Sequence, residues 1–564
     1  MKTHRFGALA FLLVALYGVL SISLAQGPKI LYTGRQMGPD DIPTLDPSLA
    51  SDVPSVQIIT ELFPELGRLH EEEVFIQPGM AESWEVSADG LVYTFKIRPN
   101  VAWVRYNRDS GQVEQVLDEA GNPRFVTASD FVIGFIRTMD PRNASDYAYV
   151  LTPWIAGGDD FASSDPAADD ATRQALIDAL GVKALDDSTL QVTTTQASAA
   201  FESIIGMWIT TAQPAWAIEE FGDLWIEADN IQTYGPFALK EWNRGQDLTL
   251  IKNPFWVGTE AIPAPKLDEV VFRFFDPEAQ LAAFEAGELQ VSEVPNSAID
   301  RVKADPVLSQ GYRVSFGSCT YYYGFNVRKE PFNDPRAVRA FSMTIDRQAI
   351  VDNITRAGES PAGFFTLPSM NAAPQQADYP EFAARTDVEA GKALWEEYLA
   401  SVGKTSADFN LTILHNNSSL HAAIAQAIQQ MWAEALGVQV NIAAQDFGTY
   451  LVARRDADIF RAAWCFDYPD TNNWLFDVFH SSVDPDNGFS NAEYDALVEA
   501  AAVASTEAER IELYAQAENI LVNTSASIAP IYYYVTKDLT APGVERTHSV
   551  ITREYYEKWD LVGQ

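Results

Sequence analysis

Strand-like and helix-like segments alternate along the whole of this 564-residue chain, with neither a fixed repeat nor a low-complexity tract. Near the start, the turn-forming Asp89-Gly90 pair between two strand-like runs predicts a β-hairpin. Farther on, apolar side chains at helical spacing predict one helix that Ser419 caps and Gly437 ends, and a second helix over about 507–522. This alternation favours mixed α/β domains. Because 47% of the residues are hydrophobic, the chain can bury more than one core.

The N-terminal segment is typical of an export signal. Lys2 and Arg5 precede an apolar run over 8–19, and the small-x-small pattern of a signal peptidase site follows at 23–25. We therefore expect residues 1–25 to be a cleaved signal peptide. The alternative is a retained membrane anchor, but the apolar run falls short of the ~20 residues that a span needs. Since no cysteine stands beside the cleavage site, we expect a free periplasmic protein that is not lipid-anchored.

Net charge narrows the range of partners. The chain carries 78 acidic and 39 basic residues, a formal net charge of -39. Such a charge repels phosphate backbones and anionic lipid headgroups. We therefore expect no nucleic acid and no membrane surface among the partners. We interpret the acidity as a solubilising surface and not as a cation-binding site.

The sequence has few of the residues on which common enzyme chemistry depends. It contains six histidines and lacks the usual zinc-protease, serine-hydrolase and phosphate-loop motifs. These absences argue against an enzyme, a metal site or a bound cofactor. One alternative stays open, because two carboxylates that act as general acid and base can meet in space without any motif.

Two cysteines, Cys319 and Cys465, are the only ones in the chain. In the oxidising compartment that an exported protein reaches, such a pair can form a disulfide. Closing a loop of about 146 residues stabilises a fold by up to ~5 kcal/mol in the chain-entropy description. The alternative is two unpaired, buried thiols.

Several short segments keep the order and spacing of one known family. They are Leu45-Asp46-Pro47 and the segments 80–84, 93–98, 181–187, 235–242, 319–323 running into 331–334, and 464–468. Together they resemble the extracytoplasmic solute-binding proteins of oligopeptide and dipeptide ABC importers (family 5), and most of all the oligopeptide-binding branch. In that branch the cysteines at the two positions found here form a disulfide.

The resemblance implies an α/β fold of the periplasmic-binding-protein type, two-lobed, hinged and class II-like, with an additional small α/β domain. It also implies a division of the mature chain into three parts. The expected ranges are 26–63, 215–318 and 535–564 for lobe I, 64–214 for the extra domain, and 319–534 for lobe III.

In such proteins a peptide lies between the lobes as an added β-strand, held by main-chain hydrogen bonds. Asp467 matches the aspartate that meets the free α-ammonium of the peptide, a contact of about 1.5–3 kcal/mol. From spacing alone, a turn residue is the favoured interpretation of Asp467, and the matching context of the family motif reverses that preference. Ala463, Trp464 and Cys465 would then offer main-chain groups to the ligand, with Ala463 where a glycine is usual.

The resemblance assigns further ligand contacts. Tyr147 and Tyr534 match tyrosines that reach the ligand from opposite lobes, although either is also compatible with a core aromatic. The other expected contacts are three positive groups for ligand carboxylates, Arg454, Arg461 and His421, which are alternatively surface ion-pair residues, and Val53 in a segment that lines the cleft.

Two departures from the family pattern concern the cleft. A long polar stretch, 104–126, replaces a short turn and is a candidate for reshaping the cleft entrance or a partner contact. Phe447 occupies roughly the place of a pocket tryptophan, so pocket shape does not transfer from the family.

The predicted function is therefore that of the substrate-binding component of a peptide ABC transporter. Its expected partners are short peptides and the permease subunits of the importer, and it is expected to be a monomer. Two rivals remain: a binding protein of the same fold for an oligosaccharide, an opine or a metal chelate, and a secreted hydrolase without a recognisable motif.

Overall fold

In a computed structural model of the protein, residues 27–38, 41–551 and 553–563 are described. The predicted signal peptide, residues 1–25, lies outside these ranges. Within them, no helix combines the length and the apolar character that crossing a bilayer requires.

The bounds of the strands and helices are as follows. The strands are β1 (Ile30–Thr33), β2 (Gly67–Leu69), β3 (Ile76–Pro78), β4 (Ala81–Val86), β5 (Val92–Ile97), β6 (Val104–Asn107), β7 (Gln112–Gln115), β8 (Val182–Asp186), β9 (Thr189–Thr193), β10 (Phe237–Asn243), β11 (Asp247–Lys252), β12 (Glu269–Arg273), β13 (Val291–Glu293), β14 (Tyr312–Phe325), β15 (Ser360–Pro361), β16 (Leu411–Asn416), β17 (Val440–Gln445), β18 (Ile459–Cys465), β19 (Ile528–Thr540), β20 (Val544–Glu545) and β21 (Asp560–Leu561). The α-helices are α1 (Val53–Leu62), α2 (Ala128–Met139), α3 (Ala148–Leu151), α4 (Gly158–Ala162), α5 (Asp170–Ala179), α6 (Ala200–Ile204), α7 (Ala215–Phe221), α8 (Pro277–Glu285), α9 (Ile299–Ala304), α10 (Leu308–Gly311), α11 (Pro335–Met343), α12 (Arg347–Ile350), α13 (Val388–Val402), α14 (Ser419–Leu436), α15 (Phe447–Ala453), α16 (Thr471–Phe479), α17 (Ala492–Val503) and α18 (Glu507–Asn519). Short 3-10 or π-helical turns occupy Trp208–Thr210, Gly222–Ile226, Asn296–Ala298, Val351–Thr355, Ser406–Asp408, Arg454–Asp456, Ser481–Val483, Ile520–Thr524 and Tyr556–Lys558.

One mixed sheet runs through the molecule in the order β10-β11-β12-β1-β13-β19-β14-β18-β16-β17, with β15 beside β19. In one half β1 is parallel to β12 and β13, and in the other β16 is parallel to β17 and β18. The antiparallel pair β14–β19 connects the halves. These two strands are rich in aromatic and β-branched residues, which suit a buried sheet.

The β14–β19 ladder is interrupted at its middle. Phe316 pairs with Val535 and Thr320 pairs with Tyr533, so β14 has extra residues between these pairs. A Cβ atom on Gly317 would lie 2.8 Å from the main-chain oxygen of Tyr534. The two chains therefore approach so closely at this bulge that only a glycine fits without movement.

The expected disulfide is present. Cys319 and Cys465 are directly opposite each other on β14 and β18, with their Cα atoms 4.0 Å apart, and they are bonded. The bond therefore fastens β18 to β14 just beyond the bulge.

A second sheet, β4-β5-β9-β8, lies within residues 81–193. Its β4–β5 hairpin confirms the turn predicted at Asp89-Gly90, where Gly90 has a φ of 75°. Phe95 of this sheet and Phe272 of β12 belong to one continuous apolar core. The small sheet is thus packed against the first half of the large one, and the expected domain ranges stay a prediction.

The predicted helices are present with altered ends. Helix α14 is capped by Ser418 and not by Ser419, because the hydroxyl of Ser418 accepts from the His421 amide while its backbone is still extended. The helix ends at Gly437, which has a φ of 66°. The helix predicted over 507–522 is α18, which continues as the π-helical turn Ile520–Thr524.

The long stretch 104–126 forms the hairpin β6–β7. Its Val104 and Val113 pack on Ala238 of β10, and Val104 also pairs with Thr233. The hairpin therefore covers the outer strand of the large sheet.

Candidate ligand-binding site

A cavity of about 480 Å³ lies where three parts of the chain meet. One wall is β18 with the loop that follows it, including Trp464 and Asp467. The second is the first turn of α1, which Asp52 caps and which presents Val53. The third carries Tyr147 and Tyr149. No residue of 104–126 is among the described residues that line this cavity, so the long hairpin does not shape it.

Asp467 is the buried carboxylate of the cavity, with 8% of its surface exposed. It accepts hydrogen bonds from the Tyr147 hydroxyl at 2.6 Å, the Tyr149 hydroxyl at 3.1 Å and the Asn473 amide at 3.2 Å. Burial raises the pKa of Asp467, and the three donors oppose that rise. In the described part of the chain no lysine, arginine or histidine forms an ion pair with it. The negative charge is thus solvated directly by neutral donors, while the nearest cation, Arg553, donates at 3.4 Å to the main-chain oxygen of Asp467 and favours the charged carboxylate from a distance.

Asn473, in the first turn of α16, orients this carboxylate. Its Nδ2 donates to Asp467 and also to Asp477 at 2.9 Å. Its Oδ1 accepts from the main-chain N–H of Asp467 at 2.9 Å and from the Trp464 indole at 3.3 Å. One fully buried amide therefore fixes two of the predicted site residues. The sequence analysis missed it, because nothing in the sequence indicates that α16 folds back onto the preceding loop.

Tyr147 was predicted as a ligand contact and Tyr149 was not. Both hydroxyls donate to Asp467, and burial followed by the charge of Asp467 raises the pKa of each tyrosine far above its ordinary value. The ring of Tyr147 packs edge-on against Trp208 with centroids 4.9 Å apart. The segment after residue 146 therefore contacts the β18 side of the cavity directly.

One edge of β18 lacks a strand partner along most of its length. The other edge pairs with β14 from Ile459 to Cys465. On the free side, β16 pairs only with Ile459 and Phe460. Within the described residues, no strand pairs with that edge from Arg461 to Cys465. Ala463, Trp464 and Cys465 line the cavity at this open edge, and their expected main-chain contacts to a ligand stay a prediction.

Arg461, His421 and Tyr534 do not line this cavity. Arg461 lies on the face of β18 opposite Trp464, where it donates to the Tyr534 hydroxyl at 2.5 Å and to Asn416 at 3.2 Å. Its guanidinium also lies 4.6 Å from the ring centre of Tyr321. It has no carboxylate partner within ion-pair distance among the described residues.

The expectation that His421 is a positive group needs correction. Its Nδ1 lies 3.5 Å from the Tyr321 hydroxyl, within the same cluster as Arg461. Burial, and then the charge of Arg461, lower the pKa of His421 to about 3. The imidazole is therefore neutral at pH 7, because a second cation beside a buried guanidinium is unfavourable.

Arg454, Phe447 and Val53 do line the cavity with Asp467. The guanidinium of Arg454 forms an ion pair of 2.5 Å with Asp486, which lines the cavity as well. Phe447 presents an apolar surface that is 59% exposed. A second cavity of about 470 Å³ shares Val53, Ser318 and Cys465 with the first, so the space continues past the disulfide.

No group of three or more histidine, cysteine, aspartate or glutamate side chains is arranged to hold a metal ion in the part of the chain that the structure describes.

Comparison with known proteins identifies the family. The profile described as "Bacterial extracellular solute-binding proteins, family 5 Middle" matches residues 76–486. The chain belongs to this family. Family 5 proteins resemble it over most of their length: a periplasmic oligopeptide-binding protein, OppA of Salmonella typhimurium, is 32% identical over 515 residues, which are 89% of this chain and 87% of OppA.

Another relative carries a different description. The probable deoxycholate-binding periplasmic protein YgiS of Escherichia coli is 30% identical over 511 residues, 89% of this chain and 88% of YgiS. Among solved structures, the E. coli murein tripeptide binding protein MppA has a TM-score of 0.76 at 26% identity, covering 96% of this chain and 99% of that one. The expected periplasmic-binding-protein fold is thereby confirmed.

Proposed function

We propose that this protein captures short peptides with a free amino terminus and delivers them to the permease subunits of an ABC importer. The observation that carries the proposal is Asp467, a buried carboxylate that has no direct ion-pair partner among the described residues and lies beside an unpaired strand edge. A peptide α-ammonium would form a direct ion pair with this carboxylate, which the hydroxyls of Tyr147 and Tyr149 already contact. OppA and MppA, described as oligopeptide- and tripeptide-binding, support the ligand class.

The open edge of β18 supports binding of the ligand as an added strand. Main-chain groups between Arg461 and Cys465 would form hydrogen bonds with the backbone of the peptide. Such binding does not depend on the side chains of the peptide. The second cavity beyond Val53 gives room for a ligand longer than one residue. In this proposal the end of the ligand that is remote from Asp467 contacts Arg461 and Tyr534, with His421 beside them. These residues lie on the face of β18 opposite Trp464.

The bulge around Gly317 is the proposed hinge between the lobes. The β14–β19 ladder is interrupted there. The interruption coincides with the two expected boundaries between lobe I and lobe III, 318/319 and 534/535. Closure around this point brings Tyr147 to Asp467, and the closed form would dock on the permease. We propose that the protein performs no chemistry on the ligand and acts outside the cytoplasm after removal of residues 1–25, without a lipid anchor.

Calorimetry with one tripeptide and its N-acetyl derivative tests the role of Asp467. Acetylation removes the positive charge and leaves the backbone intact, so we expect the Kd to rise at least ~tenfold. Asp467→Asn should weaken the free peptide by a similar factor and leave the acetylated one nearly unchanged. Equal affinity of the two peptides for the wild-type protein would refute the ammonium site.

Native mass spectrometry of the protein as purified distinguishes the ligand classes. A series of peptide masses supports the proposal. The relative described as probably deoxycholate-binding favours one rival, a non-peptide solute, and a single non-peptide mass would support it. Turnover of added peptide over hours would instead indicate a hydrolase.

A further inference from the structure

The turn between β2 and β3 holds a valine in a backbone conformation that valine disfavours. Val74 has a φ of 59°, in the left-handed region. Branching at Cβ makes this region more unfavourable for valine than for glycine or asparagine, which usually occupy such turn positions. Residues strained in this way persist only where other contacts hold them, and they are concentrated at functional sites. The reason for a valine here must therefore lie in what its side chain contacts.

The hairpin that carries Val74 is closed by its own hydrogen bonds. The main-chain N–H of His70 donates to the carbonyl of Phe75 at 2.8 Å, and the N–H of Val74 donates to the carbonyl of His70 at 3.0 Å. The rings of His70 and Phe75 stack with centroids 5.0 Å apart. In β2, Arg68 forms an ion pair of 2.8 Å with Glu557. Val74 thus lies at the tip of a regular hairpin whose base is fixed to the end of the chain.

The side chain of Val74 is buried, with 4% of its surface exposed. Val74 and Leu69 belong to an apolar cluster whose other buried members all lie at residue 322 or later, most of them within 319–534. Ile76, the first residue of β3, packs against the same cluster. Val74 is not among the residues that line the ligand cavity. The hairpin tip therefore joins the two sides of the molecule at a place that a ligand in this cavity does not touch.

A groove beside the hairpin contains a second contact between the same two parts of the chain. Phe75 lines this groove together with Ser203 and Asn371. The side-chain amide of Asn371 donates to the Ser203 hydroxyl at 3.4 Å. An apolar contact and a polar one thus connect the range 64–214 with the range 319–534 outside the ligand cavity.

We propose that the turn 70–75 is a closing latch, in which Val74 enters the apolar cluster when the molecule closes on a ligand. Burial of the valine side chain offsets the backbone strain that the turn carries. Ligand affinity then depends on an apolar contact that the ligand does not touch, because this contact stabilises the closed form to which the ligand binds. The inference rests on the proposed peptide-binding function and adds to it a contact that favours closure.

Calorimetry with trialanine and its N-acetyl derivative tests the latch in Val74→Gly. Glycine adopts the left-handed conformation without strain but buries no side chain. The Kd of trialanine should therefore rise by about tenfold, which corresponds to the lost burial of one valine. The ratio of affinities for the free and acetylated peptides should stay that of the wild type, since Asp467 is unchanged. Val74→Asn should weaken binding further, because closure would bury an amide.

The melting temperature of the ligand-free Val74→Gly protein separates a latch from a permanent core contact. It should equal or exceed that of the wild type, because the turn loses its strain and the open form does not bury Val74. Asn100→Gly is the matched control: Asn100 has a φ of 62° and is exposed, so this variant should change neither the Kd nor the melting temperature.

A lowered melting temperature of Val74→Gly, or a Kd equal to that of the wild type, overturns the inference alone. Failure of the wild-type protein to bind either peptide overturns the proposed function on which the inference rests.

Discussion

Among single residues, Asn473 connects two residues that line the cavity, Asp467 and Trp464. It donates to the Asp467 carboxylate, accepts from the Asp467 amide and accepts from the Trp464 indole. A hydrogen bond to a charged group contributes about 1.5–3 kcal/mol, and a neutral one about 0.5–1.5. Asn473 is therefore a positioning residue: it holds the carboxylate in one orientation without being among the residues that line the cavity.

Asn473→Ala should raise the Kd of a free tripeptide by about tenfold, because the carboxylate loses its fixed orientation. The ratio of affinities for free and N-acetylated peptide should fall in the same calorimetric series, which a purely structural role would not change. Asn472→Ala is the control, since Asn472 is equally buried but donates to the Tyr468 hydroxyl. Loss of thermal stability with an unaltered affinity ratio would contradict the assigned role.

The sequence predicted Asp467 and Trp464 because a family motif surrounds them, and both line the cavity. It did not predict Tyr149 or Asn473, whose contacts to Asp467 depend on how distant elements pack. It also grouped Arg461 with Arg454, although only Arg454 lines the cavity; Arg461 contacts the Tyr534 hydroxyl and Asn416 instead. Motifs identify residues one at a time, whereas the partners of a buried charge follow from tertiary structure.

The second carboxylate beside Asn473 should make stability depend on pH. Burial raises the pKa of Asp477 to about 7. Since this folded-state pKa lies above the ordinary value of about 4, the stabilisation is full at low pH and is lost as pH rises to about 7. Asp477→Asn should therefore raise the melting temperature at pH 8 and reduce the difference between pH 5 and pH 8. Asp178→Asn, on the exposed face of α5, is the control, and an unchanged pH difference in Asp477→Asn would count against this account.

At the level of elements, buried ion pairs attach the last segment of the chain to the large sheet. Arg35, after β1, lies 2.6 Å from Glu554 and 3.2 Å from Asp538 of β19. Arg546 is 3.1 Å from Asp538 and 3.4 Å from Glu554. All four side chains are almost inaccessible to solvent, so each charge depends on the others for its compensation.

Arg35→Met should lower the free energy of unfolding by about 3–5 kcal/mol, because it leaves two carboxylates buried with one cation. Urea denaturation measures the change. Arg301→Met is the matched control: it removes a pair with Glu285 whose side chains are 54% and 37% exposed, and it should cost at most ~1 kcal/mol. Similar losses in the two variants would show that burial does not set the energy of the pair.

Local elements followed from the sequence more closely than their assembly did. The Asp89-Gly90 hairpin depends on neighbouring residues and was predicted correctly. Helix α14 was predicted with its cap displaced by one residue, since Ser418 and Ser419 are equally suitable in sequence. The interruption of the β14–β19 ladder joins residues more than 200 positions apart, and no local pattern signals such pairing.

At the level of the whole molecule, the tyrosine contacts to Asp467 connect the range 64–214 with the range 319–534. The double variant Tyr147→Phe and Tyr149→Phe removes both hydroxyl donors and retains the rings. In the absence of ligand, we expect it to show a larger radius of gyration than the wild type by small-angle X-ray scattering, because two charge-assisted hydrogen bonds no longer favour closure. Tyr379→Phe, whose hydroxyl donates to Glu512 elsewhere, should scatter like the wild type. Identical profiles for all three proteins would exclude these bonds as the closing contact.

The position of β19 has a consequence for how the protein is made. This strand lies in the middle of the large sheet, between β13 and β14, yet it begins only at residue 528. A nascent polypeptide emerging from the ribosome therefore has a central gap in its sheet until more than 500 residues have been synthesised. Before then the two half-sheets lack the strand that connects them, so the complete sheet can form only once almost the whole chain is available.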